Sequence, residues 1–287
     1  MATIVGSSLV LLPSIVFAQQ CPSTGIVVTA NTSLSKNYYN CHGDGVIIEA
    51  SGILFNCNGN TVQGSVGNKA DGIYAFKVTG VTIENCNLRR FGTGIVLNSS
   101  SGNYLINDNA VIDYGNGFAI VNNSNGNTVT GDSAISDGAS GYFVSGSSGN
   151  NVYGNLARGA VADGFLLSDA TGNSLEGNTA TRNTLDGYSL TTGSTGNNLV
   201  GNTARANGYD GFAADSTSTG NHLIGNEAAT NDNFGYSDAS TSLNAGYPDY
   251  GTGNYYVGDG YNHNFAASSP ACAPVSATCK LTQPGYM

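Results

Sequence analysis

Apolar and polar residues alternate along this chain in short stretches such as Phe165-Leu166-Leu167 and Tyr188-Ser189-Leu190. Alternation with a period of two puts neighbouring side chains on opposite faces of a strand, whereas a helix would show a stripe with a period of about 3.6. No stretch of the array keeps a helical stripe. The alternating stretches recur in register with a Gly-Asn pair at Gly102, Gly126, Gly149, Gly172, Gly196 and Gly220, and successive intervals agree to within one position. A fixed period of about 24 residues marks one supersecondary unit stacked on copies of itself.

Three further rows repeat with the same beat. One is apolar (Leu105, Val129, Val152, Leu175, Leu199, Leu223), one is alanine (Ala110, Ala134, Ala157, Ala180, Ala204, Ala228) and one is aromatic (Phe118, Tyr142, Phe165, Tyr188, Phe212, Tyr236). One ring and one minimal side chain per unit predict three short faces around a narrow interior. The 41 glycines supply the corners that three bends per turn require. A leucine-rich repeat would need several leucines per unit, and each unit here has one or two. The pattern therefore predicts an all-β chain, a single-stranded parallel β-helix solenoid with roughly 21–24 residues per coil. Looser units at Gly59–Gly64 and Gly80–Asn85, with Gly72-Ile73 and Gly94-Ile95 matching the later Gly-aromatic pairs, extend the array toward the N-terminus. Eight to nine coils at about 4.8 Å make a rod roughly 40 Å long. The expected organisation is a signal peptide over 1–18, an N-terminal cap over 19–45, the β-helix over 46–260 and a C-terminal cap over 261–287.

The segments Ile53-Leu54-Phe55-Asn56-Cys57-Asn58-Gly59-Asn60-Thr61-Val62-Gln63-Gly64 and Gly80-Val81-Thr82-Ile83-Glu84-Asn85-Cys86-Asn87-Leu88 resemble the NosD-type right-handed parallel β-helix repeat of the pectin-lyase-like superfamily. The resemblance spans about residues 46–260 and implies a right-handed solenoid. The superfamily contains lyases, hydrolases, epimerases and adhesins, so the fold does not select a chemistry. Polygalacturonase-like chains carry N-T-D, D-D, G-H-G and R-I-K, none of which occurs here. Mannuronan epimerases carry Y-G-x-D-P-H-D/E, and Asp113-Tyr114-Gly115-Asn116 does not supply it. Pectate-lyase chemistry needs a basic residue beside Ca²⁺-binding carboxylates, for which Arg89-Arg90 with Asp71 or Asp113 is the nearest substitute. The NosD resemblance also implies copper handling. Copper calls for His, Cys or Met, but His42, His222 and His263 are far apart and the two methionines are Met1 and Met287.

Residues 4–17 are mostly apolar and end in Val16-Phe17-Ala18 before Gln19, as a secretory signal does. Gln20 before Cys21 does not fit a lipobox, and no second apolar stretch is long enough to span a bilayer. All six cysteines follow the expected cleavage point, an even count that suits an oxidising compartment. Cys272 and Cys279 bracket a short span after the last coil and read as a staple of the C-terminal cap. Cys21 with Cys41 would close the N-terminal cap, which leaves Cys57 and Cys86 by elimination. The net charge of −10 with only nine Lys and Arg argues against nucleic acid or anionic lipid as a partner. A surface of Asn, Ser, Thr and Gly suits glycans.

Asp163, Asp186 and Asp210 precede the glycine before the aromatic row in three successive coils, and the same coils carry Arg158, Arg182 and Arg205. Stacked carboxylates about 5 Å apart repel by roughly 1 kcal/mol per pair even at water's dielectric. The co-occurrence therefore predicts a structural charge ladder with Asx-type turn bonding, with Ca²⁺ as the one cofactor such a row would take. The beat breaks between Gly220 and Gly253, where the interval outruns the period and the insertion carries Tyr247-Pro248-Asp249-Tyr250. Tyr247, Asp249 and Tyr250 are binding candidates there, as are Arg89 and Arg90 in the looser coils. Asn31, Asn98 and Asn122 head N-x-S/T sequons and are glycosylation candidates. With no complete catalytic constellation, the expected protein is a secreted or cell-surface β-helix, non-catalytic, that binds glycans or self-associates. The alternatives are a polysaccharide lyase, epimerase or hydrolase, and a filament or surface-layer subunit.

Overall fold

The computed structural model describes residues 19–240 with their side chains, and the strands Tyr255–Val257, Gly260–Tyr261 and Ala266–Ala267 as backbone. Three parallel sheets run along the solenoid, and the chain visits them in the same order in every turn. Sheet A begins with Gln19–Gln20, sheet B with Ile26–Val28 and sheet C with Thr32–Ser33. Among the described residues sheets A and B have 11 strands each and sheet C has 10, which gives about ten turns rather than the expected eight to nine. The count rises because stacking starts at Gln19, inside the stretch expected to form a cap, where Gln19 and Gln20 pair with Tyr38 and Tyr39. It also continues past the insertion, to Ala266–Ala267 against Ser237–Asp238.

Each repeating row of the sequence becomes one register line. The alanines stack inside sheet A, Ala110 on Ala134 and onward to Ala228. Leu105, Val129, Val152, Leu175, Leu199 and Leu223 stack inside sheet C. The aromatic row lies inside sheet B, with centroids 4.6–5.0 Å apart and planes within 8° of parallel. Backbone pairing fixes this spacing, so the rings adopt the separation of the strands. Each ring contributes about 1.5–3 kcal/mol through burial. Alanine lines sheet A because the rings cross the lumen toward it, and the glycine before each ring faces the same crowding. A Cβ added at Gly187 would stand 2.6 Å from the Gly211 carbonyl oxygen and 2.7 Å from the Ala204 Cβ.

The turn from sheet C to sheet A takes two residues and starts with Gly131, Gly154, Gly177, Gly201 or Gly225, all at φ between 60° and 70°. A buried Asn or Asp follows and points inward. Its Oδ1 accepts the backbone N–H of the equivalent residue one turn earlier, and an Asn also receives that residue's Nδ2. Asn155, Asn178, Asn202 and Asn226 join in this way at 3.0–3.1 Å between carboxamides. The corner between sheets B and C holds a second such ladder, from Asn103 to Asn221 at 2.9–3.0 Å. The corner between sheets A and B holds a third, through Asn183, Asn207 and Asn231. These rungs satisfy backbone groups that sharp corners leave without sheet partners. Disulfides Cys21–Cys41 and Cys57–Cys86 close the N-terminal turns, and Cys86 occupies the rung position above Asp108, whose Oδ1 accepts its N–H at 2.8 Å.

Candidate functional site

Two of the ladders change chemistry toward the N-terminus. Asp108 and Asp132 occupy the rungs above Asn155, and Asp113 and Asp137 occupy the equivalent rungs at the corner from sheet A to sheet B. All four are at most 2% exposed, and the Oδ2 of each is buried without a hydrogen-bond partner. Burial pushes Asp113 up to about 7 and Asp108 and Asp137 up to about 8, and it raises Asp132 as well. The Phe91 N–H and the Arg89 charge partly offset the rise at Asp113. A neutral carboxyl can donate its O–H where the asparagine rungs donate an N–H, so these acids substitute for carboxamides. They face the packed interior, where no substrate reaches.

Asp163, Asp186 and Asp210 form an outer row at the leading edge of sheet B. The Oδ1 of Asp163 accepts the Asp186 N–H at 3.0 Å, Asp186 accepts the Asp210 N–H at 2.8 Å, and Asp210 accepts the Phe234 N–H at 2.9 Å. Asp163 is 7% exposed and Asp210 2%. Burial raises all three, and Asp186, which also feels both neighbouring carboxylates, reaches about 7. The expected pairing with arginine does not form: among the described residues, no arginine is one of the groups acting on these acids. Arg158 and Arg205 project from sheet A two turns apart with Thr181 between them, and Arg182 follows Thr181 at φ 57°. Residues that share a coil therefore lie on different faces, and backbone N–H groups do the work expected of the guanidinium groups.

Arg89 is on sheet A and acts on Asp113 from a distance, while Arg90 is exposed at φ 60°. Asp71 begins a strand of sheet B, where burial and the Asp44 carboxylate raise it to about 7. Asn31 is exposed and its Oδ1 accepts the Leu54 N–H at 2.9 Å. Asn98 is half-buried and donates to the Tyr74 hydroxyl at 3.2 Å, and exposed Asn122 donates to the Asn98 Oδ1 at 3.1 Å. Tyr247, Asp249, Tyr250, Cys272, Cys279 and His263 lie outside the described residues, as do the stretch 1–18 and most of 261–287. Among the described residues no group of three His, Cys, Asp or Glu is placed to hold a metal ion, and no helix is long and apolar enough to cross a membrane.

An open groove of about 310 Å³ lies at the corner from sheet B to sheet C, and none of its residues was singled out by sequence reasoning. It is lined by Asn123, Asn125, Gly146, Ser148, Asp169 and Thr171 from three successive turns. The corner row is held by buried serines, with the Ser100 N–H on the Ser124 hydroxyl at 3.0 Å and the Ser124 N–H on the Ser147 hydroxyl at 3.1 Å. Between strand and buried serine the chain has two residues, Asn122-Asn123, in one turn. It has only Gly146 before Ser147 in the next turn and only Asp169 before the buried Ala170, which stands in the serine row, in the turn after, then two again, Thr192-Gly193 before Ser194. The two short corners form the groove and correspond to the two shorter intervals of the repeat, Gly126 to Gly149 and Gly149 to Gly172. The difference in interval was the available sequence signal, but it does not say which corner loses the residue.

Residues 71–228, more than half of the chain, match the family described as "right handed beta helix region", and the chain belongs to that family. No curated protein sequence matches it. Among solved structures the chain is similar to the periplasmic alginate epimerase AlgG, with 14% identity, a TM-score of 0.63, and 86% of this chain and 74% of that one covered. It is also similar to pectate lyase Pel9A, with 16% identity, a TM-score of 0.60 and coverage of 88% and 66%. A third similar structure is tailspike protein 3 of bacteriophage CBA120, with 17% identity, a TM-score of 0.52, and 80% of this chain against 41% of the tailspike. At these identities the likeness is one of fold.

Proposed function

We infer that the chain is a non-catalytic, extracytoplasmic β-helix protein that binds glycans. The observation that carries this reading is the placement of its acids. The most strongly shifted carboxyls, Asp108, Asp132 and Asp137, are closed inside the solenoid, while the open groove is lined by carboxamides, hydroxyls and one exposed carboxylate. General acid–base catalysis needs a shifted group within reach of a bound substrate. Saccharide binding needs hydrogen-bonding groups on an exposed surface. The two disulfides support an oxidising compartment. Support for glycans as the ligand class also comes from fold relatives whose names specify alginate and pectate. The NosD-like repeat is read for its scaffold alone.

A second reading, a polysaccharide lyase, epimerase or hydrolase, is favoured by Asp186. It is half-buried at the edge of sheet B and raised to about 7, the range of a general acid at neutral pH. One experiment separates the two. The full chain is incubated with neutral and acidic polysaccharides, with and without Ca²⁺, and both retention on the polymer and product release are measured. Retention without cleavage or change of uronate stereochemistry is expected. Unsaturated or shortened products that vanish in Asp186→Asn would establish the enzyme, and no retention on any polymer would overturn the glycan reading.

A further inference from the structure

We propose that the groove over Gly146 and Asp169 is a binding site for a neutral oligosaccharide, and that Asp169 excludes uronate chains from it. The proposal rests on the glycan-binding reading and names the place and the ligand class. The groove lies over two consecutive one-residue corners, Gly146 and Asp169, between the two-residue corners Asn122-Asn123 and Thr192-Gly193, so its floor is two strand spacings long, about 10 Å. An extended saccharide lying along the solenoid axis would place about one ring over each turn. The floor is glycine and backbone, with Gly146 at φ 53° and Asp169 at φ 52°. A Cβ built on Gly146 would stand 3.9 Å from the Asp169 Oδ2, so the carboxylate leans over the glycine and into the groove.

The walls carry directional hydrogen-bonding groups of both kinds. Asn125 accepts the Ser148 N–H at 2.7 Å and the Ser148 hydroxyl at 3.0 Å through its Oδ1, which holds the carboxamide still. The Thr171 hydroxyl stands 3.5 Å from the Thr195 hydroxyl. The side chains of Asn123 and Asp169 make no hydrogen bond among the described residues and are exposed. A carboxylate beside carboxamides suits the vicinal hydroxyls of a sugar, because one accepts two O–H groups while the other donates and accepts. No aromatic ring is among the described lining residues, so orientation comes from these polar groups.

Charge sets the class of sugar. Among the described residues, Asp169 is the only ionisable group lining the groove, and no Lys or Arg compensates it there. A uronate placed on this floor would bring like charges together, whereas a neutral ring would leave the carboxylate hydrogen-bonded. The row that contains Asp169 also shows which replacements it tolerates. Lys77, Asn122, Gly146 and Asp169 occupy equivalent corners at φ 55°, 58°, 53° and 52°, so Gly, Asn and Lys all fit this backbone.

Binding of the full chain is measured by titration calorimetry with neutral hexasaccharides (cellohexaose, xylohexaose, mannohexaose) and with hexagalacturonate and hexamannuronate. At least one neutral probe is expected to bind, and both uronates about ten-fold or more weaker. Asp169→Gly should weaken neutral binding about ten-fold, since the site then leaves sugar hydroxyls unpaired, and Asp169→Asn should restore part of it. Asp169→Lys should shift the preference toward the uronates. Insertion of one glycine after Gly146 and one after Asp169 restores two-residue corners and should abolish binding, with the thermal melt reporting that the solenoid is intact. Unchanged neutral binding in Asp169→Gly and in the insertion variant would overturn the site while leaving glycan binding elsewhere on the chain. Stronger binding of the uronates by the parent would overturn the ligand class, and no binding of any probe would overturn the proposal itself. Retention on none of the polysaccharides described above, in addition, would overturn the glycan reading with it.

Discussion

Asp113→Asn should stabilise this protein at neutral pH and leave it unchanged in acid. Asp113 accepts the Phe91 N–H at 2.8 Å through its Oδ1, and its Oδ2 is buried without a partner. Its carboxyl ionises at the ordinary 3.8 when unfolded and at about 7 when folded, chiefly because burial disfavours the charge. Between these values the folded chain holds a proton that the unfolded chain has released. A rise in pH therefore draws the equilibrium toward the unfolded state, by about 1.4 kcal/mol per pH unit, until the folded group also ionises. Over the interval from 3.8 to about 7 the cost reaches about 4 kcal/mol. Asparagine supplies the same shape with a permanent donor, as Asn183 does toward the Asn207 Oδ1 at 3.0 Å. The assay is urea unfolding followed by circular dichroism from pH 4 to pH 8, with midpoints compared at equal slope. Midpoints that coincide at pH 4 and diverge in favour of the variant toward pH 8 are expected. A gap that stays constant across this range, or that favours the parent at pH 8, would refute the assignment of a neutral carboxyl.

Other outcomes follow from the packing. Gly187→Ala places a Cβ 2.6 Å from the Gly211 carbonyl oxygen and 2.8 Å from the Asn207 Nδ2, so it should cost about 1–3 kcal/mol, read as a lower urea midpoint. Cys57→Ser opens a loop of 29 residues and should cost about 3–4 kcal/mol in the chain-entropy account. Non-reducing peptide maps of the parent should join Cys21 to Cys41 and Cys57 to Cys86, and the same maps test the linkage of Cys272 to Cys279.

The beat of the sequence was enough for the scaffold because each row has a single packing role. A ring every turn has to stack on itself, and an alanine every turn has to face it, so Phe165, Tyr188 and Ala180 declare their positions without tertiary information. Charged residues did not declare theirs. Arg158 and Asp163 are near in sequence, but a corner separates them, and the distance along the chain does not say which face a side chain joins. Asp113 and Asp132 look like surface acids in sequence because only the inward turn of the corner buries them. The shortening of two intervals by a single position was visible from the start, yet its meaning depends on where that residue leaves the loop. The answer lies in the buried serine row, and Ser124 and Ser147 look like any other polar residue until their hydroxyls are seen accepting backbone amides.

The inner carboxamide ladders all point the same way: each rung donates to the rung one turn later, as Asn150 does to Asn173 and Asn173 to Asn197. The solenoid consequently has a direction of completion. A turn built from the N-terminus is left with dangling donors at its corners until its successor arrives, so each new turn satisfies the last and exposes the same need at its own edge. For a chain that emerges N-terminus first, the growing end is always the adhesive one, and stopping the rod becomes a separate problem that the repeat itself cannot solve.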